Sequence, residues 1–316
     1  MPTGAKSVIF INRAESPIVS CVPAGASGNL PSTASNLSAN SQTRAITRGV
    51  STNSQSRLSG SGNNIATKNR VFISTQNLVG GQLNTLEWNT WISAEARKYN
   101  GASSGFSYDV VLGTDKLIGT DAVIGAVIGF GRTDLTVGAN STSAKAPAIG
   151  LYFGKRLQQD LILDGYLSFA RPQYTTTAGN FTSRRTSLSL SLTGKYATAN
   201  YVVRPFGNIT GYSEQQPAFN AIPANSISDY SASAGARFEM LKPLGDGNMT
   251  PYFSAAIDYS YSRTTAVGTS TFFYPRIGAG ISGQVGGGHL RLDADAGKAS
   301  ADTFDYGLRA TYEFNF

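Results

Sequence analysis

Few side chains in this sequence are of a type that does acid–base or nucleophilic chemistry, and none stands in a pattern that would. His289 is the one histidine, beside Gly286-Gly287-Gly288 and with no Ser or Cys motif next to it. A general base needs a partner within hydrogen-bond reach, so a glycine-flanked histidine between two strands reads as a turn residue. Cys21 is the one cysteine, which excludes a disulfide framework and a cysteine metal cluster. Ile18-Val19-Ser20-Cys21 has the outline of an acylation site, but Asn12, Arg13, Glu15 and Pro17 interrupt the apolar stretch such a site requires. Asp293 and Asp295 share a strand face, as charges on the wall of a polar cavity do. The expectation is a chain without catalytic residues, metal or cofactor.

The ionisable residues matter instead for where they recur. Glu95, Asp109, Asp164, Arg237, Glu239, Asp258, Arg276, Asp293 and Asp295 all fall in stretches where polar and apolar residues alternate. Leu188, Leu190 and Leu192 alternate with Ser187, Ser189 and Ser191; Phe106, Tyr108, Val110 and Leu112 alternate with Ser107 and Asp109. Neighbouring side chains on a strand point to opposite faces, so each stretch has one greasy face and one ionised face. Twelve such segments follow from Glu87 onward: 87–99, 105–116, 121–136, 143–156, 159–173, 183–197, 201–213, 227–242, 249–263, 270–284, 288–298 and 304–316.

Composition narrows what those strands build. Charged residues are 14% and hydrophobic residues 41%, and the longest weakly polar run, Ala122–Gly131, spans only ten residues. No helix of that length crosses a bilayer, and the other structure that satisfies every backbone group in lipid is a closed barrel. The expected fold is therefore all-β: a twelve-stranded antiparallel transmembrane β-barrel with a short N-terminal helix in its lumen. Every other connection is tight (Ile118–Thr120, Leu157–Gln158, Thr198–Asn200, Pro243–Gly247, Val285–Gly287), and those between are longer and polar, such as Val137–Thr142, Tyr174–Thr182 and Glu214–Ser226. Outer-membrane barrels have this asymmetry, with short periplasmic turns and longer outer loops. Trp88, Tyr99, Tyr201, Tyr212, Tyr261 and Phe273 gather near segment ends, as interfacial girdles require. A soluble sandwich would also alternate, but its inner and outer faces would not be so densely ionised on one side throughout.

Residues 1–86 differ. They hold seven Lys and Arg against one acid, a net +6 of the chain's +7. The basic residues form no patch with interleaved aromatics, which argues against nucleic acid. Met1–Ile11 has only a four-residue apolar run, so a C-terminal piece of a longer precursor, or a reading frame with a lost start, is expected. Within Ser38–Ser59, Ala45, Ile46 and Val50 fall together on a helical projection beside Arg44, Arg48 and Arg57. A polar helix with so narrow an apolar stripe suits a wet enclosure. The expected organisation is 1–37 as a disordered passenger remnant or linker, 38–86 as pore helix and connecting segment, and 87–316 as the barrel.

The last strand turns Tyr306, Leu308, Ala310, Tyr312, Phe314 and Phe316 one way, and it ends the chain on phenylalanine. It resembles the signal by which the outer-membrane barrel assembly machinery recognises its clients. Trp88-Asn89-Thr90-Trp91, Gly113-Thr114-Asp115, the glycine-rich Ile124–Gly131, Arg204-Pro205-Phe206 and Gly235-Ala236-Arg237-Phe238-Glu239 stand in an order that resembles the translocator domain of autotransporters, over about residues 87–316. That resemblance implies a bacterial outer-membrane location, a polar helix inside the pore, and an exported passenger before it. The implied partners are outer-membrane lipids, the assembly machinery and the chain's own passenger segment, with the barrel a monomer. Asn63-Asn64 is similar to the bond some autotransporters cleave, but its surroundings do not match. Arg44, Arg48 and Arg57 would then pair with lumen acids, since opposite charges attract more strongly in a confined channel than in bulk water. The alternative is a passive porin-like channel or structural surface protein.

Overall fold

The structure, a computed structural model, describes residues 30–59, 65–66, 70–74, 87–101, 103–137, 140–220, 222–242, 249–265, 268–285, 288–300 and 303–314. One helix, α1 (Leu30–Ser59), is followed by two short strands, β1 (Ile65–Ala66) and β2 (Arg70–Ser74), and then by the wall. The wall runs β3 (Trp88–Gly101), β4 (Ser104–Ile118), β5 (Ala122–Val137), β6 (Asn140–Gln158) and β7 (Leu161–Ala170). β8 (Gln173–Thr176) and β9 (Gly179–Thr182) follow as a hairpin above it, leading into β10 (Arg184–Gly194) and β11 (Tyr196–Ala197). The remainder is β12 (Tyr201–Gln216), β13 (Asn225–Met240), β14 (Met249–Thr264), β15 (Gly268–Val285), β16 (Gly288–Ser300) and β17 (Thr303–Phe314). Taking β7 with β8, and β9 and β11 with β10, gives the twelve crossings expected from the alternation.

Each crossing pairs antiparallel with the next, and β17 pairs with β3 through Thr303↔Gly101 and Phe304↔Asn100, which closes the ring. The alternation sorts the faces as expected. Leu151, Phe130 and Ile149 are 69%, 64% and 62% exposed on the outside, while Ser187, Ser189 and Ser191 are buried inside. Trp88, Tyr201 and Phe273 are exposed at strand ends, as a girdle requires. Tyr99 and Tyr212 are not: both are 3% exposed and turn into the lumen, because an even–odd offset, not proximity to a strand end, decides the face of a side chain.

The upper rim departs from the expected loop asymmetry, while the described turn at the lower rim is tight as expected. At the lower rim, where β17 ends, Gly119–Asp121 make a turn with Gly119 at φ 62°, a left-handed position open to glycine. At the upper rim the expected loop Val137–Thr142 is ladder instead, paired as Val137↔Asn140, Thr136↔Ser141 and Leu135↔Thr142. Tyr174–Thr182 is likewise a hairpin, with Tyr174 opposite Phe181, and Glu214 belongs to β12, leaving only 217–224 between strands. Hydroxyl-rich segments pair across strands as readily as apolar ones, so polarity here marks strand that has left the lipid rather than loop. β6, at 19 residues, is on the order of 60 Å long, well beyond a tilted crossing.

The seam holds an arrangement not anticipated from sequence. β2 pairs with the free edge of β3 through Arg70↔Glu95 to Ser74↔Trp91, and β1 pairs with β2 through Ile65↔Phe72. The connecting segment thus lies along the first barrel strand, and β17 reaches that strand only at the upper rim.

Candidate functional site

α1 occupies one side of the lumen, and what holds it there can be read down its length. Helix formation starts at Leu30, ahead of the expected Ser38, with Pro31 in the first turn, where a missing N–H costs nothing. The early turns are kept by packing: Ala34 and Leu37 cluster with Tyr99 and Leu135, and Ala39 with Tyr212 and Ile227. Tyr212 donates to Asn36 at 2.5 Å, and Asn225 donates to Ser32 at 3.1 Å near the upper rim.

At mid-height Ser41 meets Ser107 at 2.7 Å and donates to Asp109, and Gln42 donates to the Ala146 carbonyl at 2.5 Å. The narrow apolar stripe of Ala45, Ile46 and Val50 packs on Trp91, Val111, Val127, Tyr152 and Tyr166. Gly49 is needed there, since a Cβ would stand 2.6 Å from Trp91 Cζ3. Trp91 is 1% exposed and donates from Nε1 to the Tyr152 hydroxyl at 2.8 Å, so it has no room to yield. Arg48 pairs with Glu95 at 2.7 Å, and Arg97 on the wall approaches the same carboxylate.

Lower down, Ser51 donates to Asp164 at 2.6 Å. Arg57 and Asp115 form an ion pair at 2.9 Å with both side chains fully buried. Asp115 also accepts from Tyr152 at 2.7 Å, Asn53 at 2.8 Å and Asn89 at 3.3 Å. Arg57 donates further to the Glu87 carbonyl at 3.1 Å. Leu58 seats among Val123 and Ile162, and Arg156 caps its carbonyl at 2.8 Å.

The helix lies off-centre, mostly against β3 to β7 and β10, and touches β12 and β13 only through its first turns. Facing it on the other side is a cavity of about 480 Å³ lined by Arg44, Arg48, Arg204, Arg237, Asp258 and Arg276 among others. Arg237 pairs with Glu239 at 2.9 Å and lies 3.8 Å above the Tyr252 ring. Arg276 bridges Asp258 at 3.3 Å and Asp295 at 2.8 Å. Arg44 lines the cavity and also a smaller one beside Asp229. Asp293 occupies β16 opposite Gly280 and Arg309.

The expected wall residues Glu95, Asp109 and Asp164 thus meet the helix directly, whereas Arg237 with Glu239, and Arg276 with Asp258 and Asp295, pair along the wall that lines the cavity. Two buried clusters do not follow from the alternation alone. Asp115, in Gly113-Thr114-Asp115, shares the parity of Asp109 on β4 and so faces the lumen. Arg185 and Glu214 form a second fully buried pair at 2.8 Å, joined by Tyr174 and Ser183. Arg185 continues the polar alternation of Ser187 to Ser191 and is legible by parity; Glu214 lies in β12 rather than in the expected loop. Of the expected assembly signal, Tyr306, Leu308, Tyr312 and Phe314 lie in β17, opposite Ala296, Ala294, Leu290 and Gly288, and Phe316 lies outside the described residues.

No curated protein sequence matches the chain. The fold resembles the translocator domain of autotransporter NalP from Neisseria meningitidis (TM-score 0.53, 11% identity, 92% of this chain and 98% of that one). It also resembles the β-domain of the Bordetella autotransporter BrkA (TM-score 0.50, 15% identity, 72% and 98%). Barrels of this family lie in the outer membrane, and no helix among the described residues is long and apolar enough to cross a bilayer. The family model for the autotransporter β-domain matches residues 88–274, well over half the sequence, and the chain therefore belongs to the autotransporter β-domain family.

Proposed function

We propose that this barrel sits in a bacterial outer membrane, exports the segment preceding α1 and thereafter anchors it, with the helix as the plug left in the pore. The observation that carries this reading is the direction of the helix. Leu37 and Asn36 lie against Tyr99 and Tyr212 toward the upper rim, and Leu58 lies against Val123 and Ile162 at the lower rim where β17 ends. The N-terminal end of α1 therefore points to the rim opposite the one where β17 ends, which is the outside if that strand ends in the periplasm. The assembly machinery would engage β17 through its aromatic, alternating edge, by strand addition. The barrel would act as a monomer.

Protease added to intact cells tests the export reading: residues upstream of Leu30 should be clipped while barrel and helix survive. Full protection of that segment would overturn it. The helix held in the lumen by Arg48 to Glu95 and Arg57 to Asp115 disfavours the porin-like alternative. Reversing Arg44, Arg48 and Arg57 to Glu should raise single-channel conductance; unchanged conductance would remove the plug from the proposal.

A further inference from the structure

The outer surface carries a feature that export does not explain. On four adjacent crossings, exposed cations stand just above the lipid-facing residues on the same face: Arg132 on β5, Lys145 on β6, Arg171 after β7 and Arg184 on β10. Arg132 follows Phe130 by one outward position, Arg171 follows Phe169 by one, and Lys145 and Arg184 stand two outward positions above Ile149 and Leu188. Two residues on a tilted strand rise about 5 Å, so these side chains lie on the order of 5–10 Å above the apolar band, at head-group height.

Their pairing is unusual. Arg132 lies directly opposite Lys145 in the β5–β6 register. The Arg171 N–H bonds to the Pro147 carbonyl at 3.1 Å, which places Arg171 diagonally next to Lys145. The β7–β10 register runs to Arg185↔Ala170, so Arg184 comes opposite Arg171 one step on. Like charges directly opposed across strands are destabilising. Asp134 pairs with Arg132 at 2.9 Å and is the one acid among the described neighbours on this face. At the lower rim two part-exposed lysines are instead matched by acids, Lys155 with Asp121 at 2.5 Å and Lys116 with Glu87 at 2.8 Å, whereas the exposed Lys195 and Lys242 stand singly rather than in a facing cluster. Beside Arg171 and Arg184 a concavity is lined by Thr182, Gln215, Pro217 and Ser226.

We propose that this patch binds a phosphate-bearing lipid of the leaflet at the upper rim. Its phosphates sit between the two like-charge pairs, and its acyl chains lie on Phe130, Ile149, Leu151 and Phe169 below. The ligand must be both anionic and acylated, because cations and apolar side chains form one continuous outward surface. The inference rests on the barrel spanning a membrane, not on what it exports.

The test uses the purified full chain in neutral detergent, with bis-phosphorylated lipid A, the same lipid without phosphates, and inorganic phosphate as probes, read by native mass spectrometry. A basic residue at an anionic surface is worth on the order of fivefold in affinity. The phosphorylated lipid should bind at least about tenfold tighter than the phosphate-free one, and millimolar inorganic phosphate should not displace it. Lys145→Ala/Arg171→Ala/Arg184→Ala should abolish that preference, while Lys116→Ala/Lys155→Ala at the other rim keeps it. Heat-modifiable gel migration reports that each variant is folded, and the lipid comparison on the unaltered chain stands without any variant. Equal binding of the two lipids, a preference retained by the triple variant, or displacement by inorganic phosphate would each overturn the proposal. Since binding is read on the isolated barrel, it stands or falls apart from the protease result on cells.

Discussion

The buried pair of Arg57 and Asp115 offers the sharpest test of how the helix is retained. Replacing Asp115 by Ala leaves a guanidinium in a site where its side chain is fully buried, and it strips Asn53, Asn89 and Tyr152 of their common acceptor. Removing one partner of a buried pair costs about 3–5 kcal/mol. Arg57→Ala should fall at the low end, because Asp115 keeps three donors, and Asp115→Ala at the high end. If the cost falls on docking, about 3 kcal/mol is a shift of at least a hundredfold in the docked-to-undocked ratio. An undocked polar helix of this composition melts in water, so its amides exchange whenever it leaves the wall. Hydrogen–deuterium exchange in detergent should therefore speed up at least a hundredfold over 30–59 in Asp115→Ala, with the amides of β5 and β6 unchanged. The double variant Arg57→Met/Asp115→Leu should return most of the protection, since an apolar pair replaces a buried ion pair at little net cost. Helix exchange within threefold of the unaltered protein in Asp115→Ala would refute the reasoning, as would a double variant no better than the single.

Further expectations follow from other contacts. Gly49→Val should loosen the helix by about 1–3 kcal/mol through overpacking against Trp91, seen as more frequent opening events in single-channel recordings. Arg185→Ala strands Glu214 among Tyr174 and Ser183 and should lower thermal stability by about 3–5 kcal/mol, measured by loss of heat-modifiable migration, with Arg185→Lys recovering only part because it cannot hold both Glu214 and Tyr174. Leu151→Arg, on the lipid face, should cost about 2–4 kcal/mol of barrel stability in folding titrations into lipid vesicles, whereas Ser189→Arg, facing the lumen, should cost less.

The wall was legible because its information is local. A side chain's face is set by parity along a strand, so twelve alternating runs were enough to give the number of crossings, the outward position of Leu188 and Phe106, and the inward position of Asp109 and Asp164. Parity also reaches Asp115 and Arg185, whose odd positions on β4 and β10 turn them into the lumen. Tyr99 and Tyr212 show the limit of a positional rule: their closeness to strand ends suggested a girdle, and their parity turned them onto α1. Polar composition misled at the upper rim, where Thr136 and Ser141 pair in water just as strands pair in lipid.

The helix and its partners are a different matter. Residues 30–59 have almost no apolar face, so neither the start at Leu30 nor the side on which it rests follows from the chain by itself; most helical stability comes from packing, and only the enclosing wall supplies it. Arg57 meets Asp115, Arg48 meets Glu95, and Ser51 meets Asp164 because the ring brings residues dozens of positions apart to one height. The same is true of β2 along β3 and of the four outward cations on neighbouring strands. Sequence determined which face each wall residue takes, through the fixed geometry of the strand. Closure of the ring decided which of those residues share a height, and with it which charges are buried, opposed or matched.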